Sequence, residues 1–296
     1  MRIFLTGATG FIGSRILSEL RAAGHQVTGL ARSDASALAL QAAGAEVQRG
    51  TLEAPDSLLA AVEASDAVIH TAFDHDFSRF VANCDKDRRV ILAIGEALKG
   101  SRRPLLITSG TAMGDTGNGQ PASERHFNSA HPNPRAASEL AGNQLLEAGV
   151  DVRVVRLPQV HGTTRQGLLS YYIEHAAEKG IVAVVGDGSN CWSAAHVSDV
   201  AELYRRVLEL GETGMRYHAV DEEAIASLRI AEVVAEKLHL PLQSLTSEEA
   251  AVHFGWFAAF AGMDLRATSA WTRQQLGWQP TGPQLLDDLR NGHYKK

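Results

Sequence analysis

The chain has 296 residues, enough to bury a large core, and its 45% hydrophobic and 21% charged residues are the balance of an ordinary globular protein of one or two domains. A net charge of -6 without any dense Lys/Arg block speaks against a nucleic-acid partner. Cys84 and Cys191 cannot make a disulfide scaffold, no apolar run is long enough for a bilayer, and Ile3-Phe4-Leu5 is too short for a signal peptide, so the expected location is the cytoplasm.

Arg2 to Thr6 reads as a short strand running into Gly7-Ala8-Thr9-Gly10-Phe11-Ile12-Gly13. In such a turn the first glycine allows the tight bend, the second lets backbone approach a pyrophosphate, and the third lets the next helix sit close to the sheet. The helix predicted from Ser14 to Ala23 would direct free amides and its positive dipole end at a diphosphate. Gly7, Thr9, Gly10, Phe11, Ile12 and Gly13 are therefore cofactor-binding candidates. Val27 to Leu30 is the next strand, Ala35 to Ala43 a helix, Ala45 to Gln48 a third strand, Leu58 to Glu63 a helix and Asp66 to His70 a fourth strand. This alternation predicts an α/β fold, a doubly wound parallel sheet of the Rossmann type.

Asp85 to Leu98 reads as a long helix, Leu105 to Thr108 as a fifth strand, Met113 to Pro134 as a long loop, Arg135 to Glu147 as a helix and Val152 to Leu157 as a sixth strand. Helices follow at 167–179 and 199–210, with strand-like runs at 181–185 and 217–220; beyond these, 228–238, 247–260 and 269–276 are mostly helical, Ser247 capping the second. The expected division is a dinucleotide-binding domain over 1–157, joined by segments around 190–220, and a smaller, mixed and mostly helical substrate-binding region over 158–296.

An NAD site usually carries an acid at the end of the second strand to accept from the ribose hydroxyls. Here Ala31 holds that place, followed by Arg32 and Ser33, whose guanidinium and hydroxyl suit the extra phosphate of NADP. NADP is the preferred cofactor, with NAD the alternative if Arg32 is only a solvated charge; Asp34 supplies the missing acid only if the strand runs three residues further.

With these motifs in place, the chain resembles the extended short-chain dehydrogenase/reductase superfamily, in its NAD(P)-dependent epimerase/dehydratase-like branch, over nearly its whole length. Gly7-x-x-Gly10-x-x-Gly13 is similar to that family's cofactor turn, Ile69-His70-Thr71-Ala72 to the strand end over the cofactor, and Leu105 to Gly110 to the strand ending near a catalytic hydroxyl. Arg156-Leu157-Pro158-Gln159-Val160-His161-Gly162 resembles the segment passing the nicotinamide, and 196–200 and 276–280 match two further landmarks. The resemblance implies cofactor contacts at His70, Thr71, Ala72, Thr108, Pro158 and Val160, hydride transfer to or from a small molecule, and a homodimer as a common assembly.

The family's Tyr and Lys fall on Arg135 and Glu139, with Ser138 matching a frequent Ser and the ordering Asn falling on Asp87. Arg is a poor general acid, though its donors can hold a carbonyl or neutralise an oxyanion. Glu139 can accept from ribose hydroxyls, or the two residues can be an ordinary helical pair four apart. Gly110 stands where the catalytic hydroxyl is usual, which leaves Thr111 as the hydroxyl candidate. His75, flanked by Asp74 and Asp76 beyond the fourth strand, is a candidate proton carrier or a polar loop residue.

Of Tyr171 and Tyr172, one is a candidate for the missing acid's place, with a core aromatic beside an exposed neighbour as the favoured reading, and Gln159 and His161 read as pocket or turn residues. Cys191 and His196 read as packing residues, and the aromatic run Phe254, Trp256, Phe257 and Phe260 as core ahead of cleft wall. The twelve dispersed histidines give no metal-ligand spacing. Three readings remain open: an NADP-dependent oxidoreductase, a nucleotide-sugar-like epimerase or dehydratase, and a non-catalytic NADP(H) sensor.

Overall fold

The computed structural model describes residues 1–292. The first half alternates strand and helix: β1 (Arg2–Thr6), α1 (Phe11–Ala22), β2 (Gln26–Ala31), α2 (Asp34–Ala42), β3 (Glu46–Arg49), α3 (Leu59–Ala64), β4 (Ala67–His70), α4 (Phe80–Leu98), β5 (Leu105–Gly110), α5 (Ala136–Glu147) and β6 (Val152–Leu157). The second half continues with β7 (Gln159–His161), α6 (Leu168–Lys179), β8 (Val182–Val185), β9 (Cys191–His196), α7 (Val197–Leu210), β10 (Arg216–His218), β11 (Glu222–Ala226), α8 (Ser227–Leu238) and β12 (Leu242–Leu245). Four helices close it: α9 (Ser247–Phe254), α10 (Ala258–Ala261), α11 (Ala270–Leu276) and α12 (Leu285–Asn291).

Seven parallel strands form the main sheet in the order β10-β6-β5-β4-β1-β2-β3, the doubly wound arrangement expected from the alternation. Residues 2–6 show why the central strands are nearly continuous apolar runs, since helices cover both faces. Ile3 and Leu5 pack with Ile16 and Leu20 of α1 and with Leu203 and Tyr204 of α7, while Phe4 enters the opposite layer with Val90 and Ile94 of α4 and Leu145 of α5. Of the segments around 190–220, α7 and β10 belong to this sheet and its cover, whereas β9 pairs in a separate sheet.

The remaining strands form two small sheets, β11-β9-β7 and β12-β8. Against them α6, α8, α9 and α12 bury a third apolar core that includes Ile173, Val234, Phe254 and Leu289. The run predicted as one helix over 247–260 is broken at Gly255, whose φ of 56° is in the left-handed region, and its N-cap is Thr246, in a capping box with Glu249, not Ser247. Helix α12 was not among the expected elements. No helix of the described residues is long and apolar enough to cross a membrane, and none of their His, Cys, Asp and Glu side chains form a group of three that could hold a metal ion.

Candidate active site

One cleft of about 690 Å³ runs along the carboxyl ends of β1, β2, β4, β5 and β6, where open α/β sheets bind ligands. Its nucleotide end is the glycine turn. Gly7 has a φ of 72°, and a Cβ there would lie 2.7 Å from Thr71 Oγ1; one on Gly13 would lie 2.1 Å from Gly7 O. The turn is thus closed to side chains, and α1 begins at Gly10 without a side-chain cap. The amide of Ser14 donates to Gly10 O at 2.9 Å, which leaves the earlier amides of the first turn for a ligand. Gly7, Thr9, Gly10, Phe11, Ile12 and Gly13 all line the cleft, as the spacing predicts.

Arg32 and Ser33 line the cleft beyond the turn, with Ser36 beside them. Strand β2 stops at Ala31, and Ser33 caps α2 by accepting from Ser36 N at 3.2 Å. Asp34 is therefore already helical, and its carboxylate lies out in solvent against Arg49 at 2.5 Å. It is not the missing ribose acid. Arg32 has no acidic partner among the described residues.

The reacting centre is held by a buried chain of hydrogen bonds. Parallel register places Thr6 beside His70. The amides of Thr71 and Ala72 both donate to Thr6 Oγ1 at 3.2 Å, so the hydroxyl proton points to His70 Nδ1 at 2.8 Å. That leaves His70 Nε2 to donate to Asp87 Oδ1 at 3.0 Å. The other carboxylate oxygen accepts from Arg135 Nη1 and from Ser138 Oγ, both at 2.6 Å. Arg135 Nη2 also donates to Thr108 O at 3.0 Å, and its Cζ lies 4.3 Å from the centre of the Phe73 ring. The Arg135 guanidinium, always charged, thus faces the cleft as a cation fixed on three sides. Arg135, His70 and Ser138 hold the Asp87 carboxyl well below the usual carboxylate range against the burial that raises it.

Two expected cofactor contacts are corrected by this chain. His70 is 1% exposed and does not reach the cleft; it orients Asp87 instead. Glu139 is fully buried, points away from the cleft, and takes a bidentate pair from Arg156 at 2.7 and 2.9 Å and a third bond from Arg216 at 2.7 Å. It cannot accept from a ribose, and it is not the partner of Arg135. Arg156 in turn donates to Ser123 O and His126 O, which ties the long loop after β5 to the sheet. Thr108 lines the cleft, but its hydroxyl is used internally, donating to His70 O at 2.8 Å and lying 2.7 Å from Tyr204 OH. Burial raises the Tyr204 phenol far above its ordinary range, so this tyrosine does not replace the missing acid. Thr111 opens a single helical turn after β5 and lines the cleft together with Thr71, Ala72 and Gly110.

Opposite, Pro158, Gln159 and Val160 form the wall expected at the nicotinamide. His161 does not reach it, because its ring turns to Asp288 of α12 at 2.6 Å. Cys191 and His196 stand at opposite ends of β9 and do not pair. Beyond the wall the cleft becomes aromatic: Phe73, Phe77, Phe80, Tyr171 and Phe260 line it, and the Trp256 ring stacks on Phe77 at 4.3 Å. The aromatic run therefore divides, Phe254 and Phe257 to core and Phe260 to the cleft, where sequence favoured core for all. Of the two neighbouring tyrosines, Tyr172 is the buried one. His75 lines the cleft and is exposed; partial desolvation, followed by the charges of Arg135 and Arg165, lowers its pKa. Asp74 does not orient His75, being paired with Lys86 at 2.8 Å, and Asp76 accepts from Ser78 N at 3.1 Å. Arg165, Tyr171, Phe77 and Phe80 were not among the predicted site residues; only the long-range fold brings them to one mouth.

The residues present fit a dinucleotide: a closed glycine cradle, free amides and an unpaired Arg32 at one end, and a fixed cation with an apolar wall at the other. Comparison with known proteins agrees. Residues 3–220 match the NAD dependent epimerase/dehydratase family. The uncharacterized protein C2A9.02 of Schizosaccharomyces pombe is 44% identical over 295 residues, which span 99% of this chain and 100% of that protein. The 4-hydroxy-2-methyl-3-oxo-4-farnesyl-3,4-dihydroquinoline-1-oxide ketoreductase of Stigmatella aurantiaca is 28% identical over 279 residues, 86% of this chain and 80% of that one. Among solved structures, the dTDP-glucose 4,6-dehydratase of Streptomyces venezuelae with NAD and TYD bound superposes with a TM-score of 0.77 at 18% identity, over 98% of this chain and 95% of that chain. At that identity the likeness is one of fold.

Proposed function

The chain belongs to the NAD dependent epimerase/dehydratase family, and from that premise we propose that it is an NADP(H)-dependent oxidoreductase interconverting a small carbonyl compound and its alcohol. The observation that carries this reading is the Arg135 guanidinium, clamped by Asp87 and Thr108 O and facing the cleft beside Thr111. A bound nicotinamide cofactor supplies or accepts the hydride. The chain's residues do the rest.

Gly7, Gly10 and Gly13 with the first turn of α1 receive the diphosphate, and Arg32 with Ser33 receives the phosphate that distinguishes NADP from NAD. Pro158 and Val160 wall the nicotinamide side. Thr111 donates to the substrate oxygen, and Arg135 offsets the negative charge that grows on it as the carbonyl is reduced. Arg135 cannot deliver the proton, because it stays charged and is tied to Asp87. We assign proton exchange with solvent to His75, which lines the same cleft: its imidazole takes the proton from the alcohol on oxidation, and on reduction it picks up a proton from solvent and passes it to the forming alkoxide. The region after residue 157, apart from α7 and β10, supplies the substrate wall through Arg165, Tyr171, Phe260 and their neighbours.

A nucleotide-sugar substrate is less well served, since it brings a second diphosphate to a substrate half walled by aromatic rings. A non-catalytic NADP(H) sensor is the second reading, favoured by one observation: Glu139 replaces the family's Lys and is buried away from the cofactor end. Purified protein incubated with NADPH or NADH and a panel of small aldehydes and ketones separates the readings. The oxidoreductase reading expects loss of the reduced-nicotinamide absorbance, faster with NADPH. Tight NADPH binding without turnover would move the assignment to the sensor.

A further inference from the structure

The substrate half of the cleft holds a cation that the proposed reaction does not use. Arg165 closes a turn after β7, with Gly162 N donating to Arg165 O at 2.9 Å and Arg165 N to Gly162 O at 3.2 Å, and its side chain lines the cleft. Among the described residues it has no carboxylate partner. The acids that line the cleft are spoken for: Asp74 and Glu53 share Lys86, each at 2.8 Å, and Asp87 behind them is held by Arg135. The rings of Phe73, Phe77 and Phe80 line the same cleft, with Trp256 stacked on Phe77 at an interplanar angle of 6°.

We infer that the substrate is an apolar, ring-sized carbonyl compound bearing a carboxylate at the end remote from the reacting carbon, its body on the aromatic wall and its carboxylate on Arg165. This rests on the oxidoreductase reading and names the substrate class for the same site. A guanidinium offers a carboxylate two parallel donors, and a cleft with low-dielectric walls concentrates its field on an entering anion. The same field reaches His75, whose pKa is lowered by burial first, then by the charge of Arg135 and then by that of Arg165. Arg165 is an exposed residue, and a neutral apolar substrate of the same shape would leave it to solvent.

Two aldehydes of matched shape test this: 4-formylbenzoate and its methyl ester, each with NADPH and the full chain. The expected result is that the ratio of kcat/KM for acid over ester falls about tenfold or more in Arg165→Ala and by less in Arg165→Lys, mainly through KM. The ester serves as the internal reference for folding and intrinsic reactivity. A ratio unaltered in Arg165→Ala overturns the inference. Should neither these aldehydes nor the wider carbonyl panel oxidise NADPH, the oxidoreductase reading fails, and calorimetry on protein loaded with NADP decides the anion site by itself. There 4-(hydroxymethyl)benzoate should bind at least tenfold more tightly than 4-methylbenzyl alcohol, and that margin should vanish in Arg165→Ala; equal binding of the two compounds by the unmodified chain overturns the site.

Discussion

Arg32 and Arg135 are both arginines lining one cleft, and their surroundings give them different work. Arg32 follows a strand that ends at Ala31 and has no acidic neighbour to satisfy it, so a phosphate is the partner that suits its fork of donors. Replacing it with Asp removes those donors and adds a charge that accepts from ribose hydroxyls. NADP binding, followed by fluorescence titration, should weaken more than tenfold relative to NAD, and an unchanged preference would sink the reading of that strand end. Arg135 was legible from its spacing to Glu139, but its partner was not. Asp87 lies 48 residues away and is reached only because α4 and α5 pack side by side. Spacing suggested Glu139 as a neighbour on the same helix; burial decided otherwise, since Glu139 faces Arg156 on β6 and Arg216 on β10.

At the scale of elements, the strands and helices of the main sheet were readable because each has one dominant signal, an apolar run or an amphipathic stripe bounded by glycine. The long loop after β5 carries no such signal. Its order comes from outside, through the donors of Arg156 to Ser123 O and His126 O, and Arg156 in turn depends on Glu139. Removing one partner of a buried ion pair leaves an uncompensated charge, which costs roughly 3–5 kcal/mol. Glu139→Gln should therefore lower unfolding free energy in urea by about that amount, and the 115–134 loop should become the first site of limited proteolysis. A loss within about 1 kcal/mol, the range of exposed ion pairs, would show that Arg156 finds other compensation. The break in the 247–260 helix was missed for a simpler reason: a lone glycine among alanines and aromatics reads as helix interior, and its positive φ is set by the need to turn Phe257 into the core and Phe260 toward the cleft.

At the scale of the whole molecule, the joint between β10 and the C-terminal segment is built around a neutral histidine. His218 Nδ1 donates to Thr268 O at 2.9 Å, and its Nε2 faces Arg156 at 3.3 Å. Burial and the Arg156 charge push its pKa down to about 3. The unfolded chain takes up this proton near the ordinary histidine pKa of about 6.5, so between that value and about 3 the unfolded state binds more protons. Stability is then fully present above pH 6.5 and falls as the pH drops, by up to about 1.4 kcal/mol per pH unit from this residue. The buried carboxylates, whose folded values are lowered, contribute their own losses from about pH 5 downward, as the unfolded carboxylates begin to take up protons. Urea unfolding at pH 7 and pH 5 should show a loss that is smaller by about 2 kcal/mol in His218→Gln; equal losses would mean that His218 takes up its proton at the same pH in the folded chain as in the unfolded one.

The claim that joins these scales is that the cleft moves a hydride between NADP(H) and a carbonyl carbon. It is tested most directly with NADPH deuterated at C4 of the nicotinamide, on either face, and 4-formylbenzoate as acceptor, with the alcohol analysed by mass spectrometry. The account predicts one deuterium on the carbinol carbon from one of the two labelled faces and none from the other. An alcohol formed without deuterium from either face, or no alcohol and no NADPH consumed across the carbonyl panel, would contradict it.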